Sequence, residues 1–570
     1  MTSTIEPPDT TQTETKNQTE PTLSPTLSLV PGNIQTINPA TGETLATYPL
    51  PSQTAIEAMV SDSHSAFQTF QHTSLKQRAA LLLRIAHKIE EHGDALARAI
   101  SEEMGKPIPV AYDSDITIAV ASLRYMAKAG PKHLSPKHNN ALTSLLLGRR
   151  HQTLRMPKGV VAIVSPWNYP LAIPTSGIAS ALMGGNAIIL KPSEITPHVG
   201  KLLVEQIQLA LEEFKLPTET VQCVLGHGQT GKALLEQDIQ HVLFTGSSST
   251  GQAIQKQVSG RGISTNIELG GNCPMVVLPE TVTTAEQQQT IARHAVWGRC
   301  YNSGQSCAAV KRLILPDVYA EPVIHAIQKQ LEELVIGNPL TNPVHLGPLT
   351  SKQQRDRLHS QVVDAIAQGG KLVTGGFLPG APMDVGAYYP PTLITHLPPS
   401  ASILNDELFG PVLLVQTYKN LDEAAELANN TPYGLTASVF SGSNSLSQSQ
   451  AQAFAKKLHA GIVSINDVAL VHYGFQHVPW HGLKQSGPGV SHSLGALDDC
   501  TQFKTIATNH VANWPGQSTP PWLFSKEPYP TKASLFSKAM LNLLAKNPVK
   551  ALFQWSLLKG LWQRRPSKQL

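Results

Sequence analysis

Residues 160–194 read VVAIVSPWNYPLAIPTSGIASALMGGNAIILKPSE. An apolar, β-prone run, VVAIVS, gives way to a segment with helical character near 173–183, and a second apolar run, AIILK, follows at once. Outward from this stretch the pattern repeats. The β-prone runs VQCVLG, HVLFTG and STNIEL alternate with helical segments near 197–214, 230–237 and 250–258. Such alternation implies a parallel sheet with crossover helices. Ligands of these sheets sit at the carboxyl ends of the strands, so the points to inspect are SPWNYP, KPSE, GHGQTG, FTGSSSTG and ELGGN.

Two of those turns are glycine-rich. GHGQTG, residues 226–231, matches the dinucleotide fingerprint GxGxxG, follows a strand and opens a helix. The fingerprint also wants an acid at the end of the next strand, where it holds the ribose hydroxyls. That strand ends in FTGSSSTG, which offers none. The turn Gly246–Gly251 equally suits a close approach of backbone to pyrophosphate at a helix N-terminus. The ribose contact then has to come from elsewhere, and KPSE offers Lys191 and Glu194 at a strand's carboxyl end.

Toward the N-terminus, INPATGETLATYPL places turn residues Asn38–Gly42 between short β-prone stretches, where ordered sequence is expected to begin. Apolar positions from Thr73 to Met104 recur at helical spacing and stop at GKP. A further helix is expected from about Asp115 to Ala129, ending at GP. Toward the C-terminus, 310–470 reads as a second α/β region. It carries β-prone KRLILP, helices near 319–335 and 351–368, and the strand-like VLLVQTY. The first 30 residues lack a basic n-region and an apolar h-region, and read as a polar tail rather than a signal.

The formal charge of +4 over 570 residues gives no case for nucleic acid as a partner. No apolar run reaches the roughly 18 residues that a membrane span requires. Five cysteines, at 223, 273, 300, 307 and 500, are odd in number and lack metal-ligand spacing. They imply a reducing, cytoplasmic setting, no disulfide framework and no metal site. Two of them stand in CYNSGQSCAAVKR, residues 300–312, and on residue type alone either could be a nucleophile or a small core residue.

Taken together, SPWNYPLAIP, LKPSE, FTGSSSTG, ELGGN, GQSC, ELFGPV and KQSGPG occur in the order and approximate spacing of the aldehyde dehydrogenase superfamily. The resemblance covers about residues 31–508. It implies an α/β fold: a Rossmann-like NAD-binding domain (31–140 and 160–269), an α/β catalytic domain (270–475), and small β oligomerisation segments (141–159 and 476–508). The remainder would be a 1–30 tail and a 509–570 extension. It also implies oxidation of an aldehyde to a carboxylic acid, with NAD favoured over NADP, by a homodimer or homotetramer.

By position in the motifs, the resemblance makes Cys307 the nucleophile and leaves Cys300 as packing. Asn168 becomes the oxyanion donor, with the main-chain N–H of the cysteine, and Glu268 the base that activates water against the thioester. Cofactor contacts would be Trp167, Lys191 and Glu194 on the adenosine-ribose side, Gly228 by the adenine, Gly246 and Ser247 at the pyrophosphate, and Glu407 with Phe409 at the nicotinamide ribose. A carboxylate at 194 suits ribose hydroxyls and repels a 2′-phosphate.

Two departures from the family pattern stand out. Extra length between Glu268 and Cys307 is expected as a surface loop in TVTTAEQQQT, and His481 stands where glycine is usual. Within enzymes the rival is acyl transfer to coenzyme A, which does not need Glu268; a semialdehyde-specific or NADP-dependent dehydrogenase is the nearer alternative. A catalytically dead homologue would be free to lose Cys307, Glu268 or Asn168, and all three are present. The tail 534–570 carries seven Lys and Arg and no acid. After Asn547-Pro548 it sets Val549, Leu552, Phe553 and Leu561 on one helical face, a pattern suited to peripheral contact with anionic lipid or to packing on the enzyme body.

Overall fold

The computed structural model describes residues 32–138, 149–509 and 541. The expected lipid-contact helix of 534–570, apart from Leu541, and the N-terminal tail of 1–30 lie outside the described residues.

Five parallel strands form the first sheet, in the spatial order Val221–Cys223, Ala187–Lys191, Val160–Val164, His241–Thr245, Ser264–Glu268. Numbered along the chain, this is 3-2-1-4-5, so the direction of winding reverses between Val160–Val164 and His241–Thr245. Ligands of doubly wound sheets bind at this switch point. Burial is near-continuous along Val160–Val164 and Ala187–Lys191, as required of strands covered on both faces. The crossover helices Ala172–Gly184, Pro197–Glu213, Gly228–Leu235 and Ser248–Val258 fall within two residues of the expected segments.

A second sheet has seven strands: Lys371–Thr374, Thr392–Thr395, Val412–Tyr418, Val310–Pro316, Cys273–Val277, Thr436–Phe440 and Ile462–Ile465. All its pairings are parallel except that of the edge strand Lys371–Thr374. The helices Ala320–Glu332 and Lys352–Ala367 match the expected pair in this region. A third, antiparallel sheet pairs Arg149–Pro157 with Thr501–Asn509 along nine residues, from Thr501 opposite Pro157 to Asn509 opposite Arg149.

Several expectations need correction. The run from Thr73 to Met104 is two helices, Leu75–Glu91 and Gly93–Met104, because His92 and Gly93 break it where Tyr112 packs against Gly93. The helix expected to stop at Gly130-Pro131 runs to Leu134 with Pro131 inside it. Asp115 lies before its first turn, in a π-helical segment Tyr112–Ile116. The stretch TVTTAEQQQT is mostly not loop: Thr284 and Gln287 form a capping box, and AEQQQT is the opening of helix Ala285–Cys300.

Candidate functional site

Both turns at the switch point face one cavity of about 520 Å³. From the first strand come Trp167 and Asn168, and from the fourth come Gly246 and Ser247. Gly246 has to be glycine, since a Cβ there would lie 2.5 Å from the ring of Phe244. Ser247 is the N-cap of helix Ser248–Val258, its Oγ accepting from Thr250 N. The helix therefore presents its N-terminal amides and positive dipole end to the cavity, an arrangement suited to a pyrophosphate. Across the cavity stand Glu407 and Phe409, and the Phe409 ring meets Trp167 edge-on at 5.3 Å between centroids.

Glu407 is packed against the ELGGN turn. Its Oε1 accepts from Gly271 N at 3.0 Å, and a Cβ on Gly270 would fall 2.0 Å from Oε2. A Cβ on Gly271 would lie 2.9 Å from the Cys307 carbonyl oxygen. The two glycines thus let Glu407, the end of the Ser264–Glu268 strand and the cysteine loop converge. Burial raises the Glu407 carboxyl above the usual range, and Lys311 opposes that rise.

Lys191, Glu194 and Gly228 are not in the lining of this cavity. They sit beside it, where the second strand ends and the Gly228–Leu235 helix begins. Lys191 is buried, 3.7 Å from Glu194, and its stem touches the site of a Cβ on Gly231. Gly228 is exposed, with open space where its Cβ would be. GHGQTG follows the third strand, at the sheet edge, whereas FTGSSSTG follows the fourth, at the switch point. Glu194 follows the end of the second strand, beside the switch-point cavity. The cavity volume, the capped helix end and the flanking carboxylates fit a nicotinamide dinucleotide.

At the cavity floor lies Cys307, a partly buried residue on a strained loop. Asn302, Ser303 and Gly304 have φ of 55°, 52° and 74°, three left-handed residues in succession. The surroundings hold them there. Asn302 Nδ2 donates to the carbonyls of Asn168 and Gln305, and Ser303 Oγ to that of Gly347. The buried Arg299 guanidinium donates to the carbonyls of Gly304, Leu408 and Gly410, which ties this loop to ELFGP. Asn168 Nδ2 donates to Gln305 O at 3.3 Å. Burial pushes the Cys307 thiol up to about 12, with Lys311 pulling it down. Cys300, buried in the adjoining helix, belongs to the core cluster. All five cysteines are free.

Glu268 ends its strand facing a small chamber of about 60 Å³ that also reaches Cys307. It is 6% exposed, and its Oε1 has no protein partner. Burial therefore raises its pKa well above that of an ordinary carboxyl. A third cavity, about 260 Å³, opens onto Cys307 between the π-helical segment and residues 470–480. Tyr169, Trp297, Tyr301, Tyr473 and Trp480 wall it and Asp113 stands in its lining, with no Lys or Arg there among the described residues. Tyr301 Oη donates to Asp113 Oδ2 at 2.5 Å. His481 lines none of these three cavities.

Sequence reasoning missed Lys106, Lys311 and this aromatic wall. Lys106 is fully buried against Asp115, and its Nζ donates to the Asn168 carbonyl at 3.0 Å, while Asp115 accepts from Leu171 N and Ala172 N. The GKP that marked a helix end also supplies this lysine.

Comparison with known proteins points the same way. Residues 29–506 match the model of the aldehyde dehydrogenase family. A succinate-semialdehyde dehydrogenase [NADP(+)] of Deinococcus radiodurans is 33% identical over 490 residues, 85% of this chain and 96% of that protein. A probable betaine aldehyde dehydrogenase of Schizosaccharomyces pombe is 31% identical over 481 residues, 83% and 91% of the two chains. The crystal structure of betaine aldehyde dehydrogenase from Staphylococcus aureus in complex with NAD+ superposes with a TM-score of 0.79 at 28% identity, covering 87% of this chain and 94% of that one.

Proposed function

Given that the chain belongs to the aldehyde dehydrogenase family, an oxidoreductase acting on aldehydes with a pyridine nucleotide, we propose that Cys307 carries the reaction and that NAD is the preferred nucleotide. The observation that carries this reading is that, among the described residues, Cys307 is the one nucleophilic side chain that lines all three cavities, the nucleotide cleft, the aromatic pocket and the Glu268 chamber, with apolar Ile173 beside it.

In this reading the aldehyde enters by the aromatic pocket and the Cys307 sulfur adds to its carbonyl carbon. The new oxyanion is met by Asn168 Nδ2 and the main-chain N–H of Cys307. A nicotinamide nucleotide held in the cleft would supply the acceptor for the hydride that leaves the same carbon. The thioester that remains on Cys307 is then attacked by water, which gives its proton to the Glu268 carboxylate. Trp167, Gly246, Ser247, Glu407 and Phe409 hold the nucleotide along the cleft, and Lys191, Glu194 and Gly228 hold its adenosine end. Glu194 supports NAD, since a 2′-phosphate would meet a carboxylate. A relative that uses NADP(+) makes this the point most in need of measurement.

The pocket bears on substrate class. A carboxylate tail entering it would be desolvated with no cation in the lining among the described residues, at a cost of several kcal/mol, roughly the penalty for an unpaired ion. Aromatic faces and Asp113 instead suit an apolar, aromatic or cationic aldehyde. Kinetics across an aldehyde panel test this: kcat/KM is expected to be at least about ten-fold higher for phenylacetaldehyde or betaine aldehyde than for succinate semialdehyde. The reverse order would overturn the substrate assignment and leave the chemistry intact.

Thr501–Asn509 is an edge strand with Phe503 and Ile506 exposed, which supports pairing with a second copy of the chain. Among the described residues, no helix is long and apolar enough to cross a membrane. The basic sequence of 534–570 supports a peripheral contact with anionic lipid. Salt-sensitive flotation on anionic vesicles, lost on truncation after Gln517, tests that contact; equal flotation of both forms would dismiss it.

A further inference from the structure

Lys311 and Arg312 open the strand Val310–Pro316 as adjacent cations, and both are fully buried. They serve different ends. Arg312 is spent on main-chain carbonyls of Asn272, Leu427 and Ala428. Lys311 turns the other way. Its Nζ donates to the carbonyl of Ser306 at 2.7 Å and to that of Cys307 at 2.5 Å, and lies 3.9 Å from Glu407 Oε1. Two of the three N–H donors of the ammonium go to those carbonyls, and the Glu407 carboxylate stands at ion-pair distance. Burial lowers the pKa of this amine, while Cys273 and Glu407 oppose that shift, so the ion pair with Glu407 favours the ammonium.

We propose that Lys311 is a positioning residue for the nucleophile: its ammonium ties the main chain at Cys307 to Glu407 and supplies the positive charge that favours the thiolate. The proposal rests on the reading of Cys307 as nucleophile. Cations beside a cysteine lower the energy of its thiolate, and a buried cation is screened little by solvent. The other charged or titratable groups that act on this pair are Glu268 and Cys273 against the thiolate, Glu407 against it and toward Lys311, and Arg299 against the ammonium. Among the groups acting on the Cys307 thiol, Lys311 is the one that favours its ionised form. The same contact gives Glu407 a partner on the side away from the Gly271 amide, so the carboxylate at the nucleotide cleft and the nucleophile share one anchor.

The test is the pH dependence of iodoacetamide alkylation of the full-length protein, with the modified cysteine mapped by mass spectrometry. Lys311→Met and Lys311→Gln are expected to move the Cys307 alkylation profile to higher pH by about one unit, so that labelling at pH 7 slows about ten-fold. Lys311→Arg keeps the charge and is expected to stay within about three-fold of the parent. Retained NAD binding, with a raised KM through Glu407, reports that each variant is folded. Gln keeps a donor for the carbonyls, so it serves if Met does not fold. Labelling at a cysteine other than Cys307 would remove the nucleophile reading and this proposal with it. Labelling at Cys307 with the Met or Gln profile superposed on the parent, or with Arg shifted as far as Gln, would overturn the proposal alone.

Discussion

The side-chain amide of Asn168 donates to the main-chain carbonyl of Gln305 at 3.3 Å, two residues before Cys307. This bond is long for an amide donor, and it aims Nδ2 at the cysteine loop before any substrate is present. Asn168 itself is held from behind, its own carbonyl accepting from Lys106 and Asn302. A donor fixed on both sides needs little reorganisation when an oxyanion forms.

Replacing Asn168 by Ala is accordingly expected to lower kcat by about 10²–10³, the usual cost of losing one oxyanion donor. Nucleotide affinity should change little. Steady-state kinetics with a separate measurement of NAD binding checks this; a kcat within two-fold of the parent, about 0.4 kcal/mol, would assign the oxyanion to other donors.

The raised pKa of Glu268 has a definite sign for activity. The carboxyl must be ionised to accept a proton from water, and burial holds it protonated to higher pH than an ordinary carboxyl. Thioester hydrolysis should therefore rise with pH, with its midpoint displaced above the usual carboxylate range of about 4. Glu268→Gln should flatten that limb and let acyl-enzyme accumulate, visible as a burst of NADH followed by slow turnover. An unchanged profile would mean that another base serves.

For the nucleotide, Glu194→Ser is expected to raise the NADP to NAD ratio of kcat/KM by about ten-fold or more, since the variant removes the charge that opposes a 2′-phosphate and leaves Lys191 beside it. A parent enzyme that already prefers NADP would show that Glu194 does not face the ribose.

Much of this architecture could be read from the chain. The apolar runs of 160–270 are long, bounded by turn residues and regularly spaced, so their strands and helices were legible within a residue or two. Strand order was not, because a parallel sheet's order is set by packing between crossovers rather than by any local pattern. This is why local pattern alone left GHGQTG and FTGSSSTG as equal candidates for the pyrophosphate turn, and only the family resemblance assigned that turn to Gly246 and Ser247; the fold sets the first at the sheet edge and the second at the switch point. Helix Gln53–Phe70 gave little signal: its buried stripe includes Ser63 and Ala66, small residues that read as neutral. The motif residues Cys307, Asn168, Glu407 and Phe409 come together on one cleft, with Glu268 reaching the same cysteine from the opposite chamber. Lys106, Arg299 and Lys311 escaped notice for a common reason. A charge in sequence reads as solvent-facing, and only the fold reveals carbonyls and carboxylates enough to hold it inside.

Most direct of all is the exchange of Cys307 for Ala in the full-length chain, assayed for aldehyde-dependent NADH formation beside NAD binding by titration. The account predicts loss of turnover to background with NAD binding within about two-fold of the parent, and no such loss in Cys300→Ala, since a core cysteine tolerates a smaller neutral side chain better than a nucleophile does. Turnover that survives in Cys307→Ala, or that disappears only in Cys300→Ala, would contradict it.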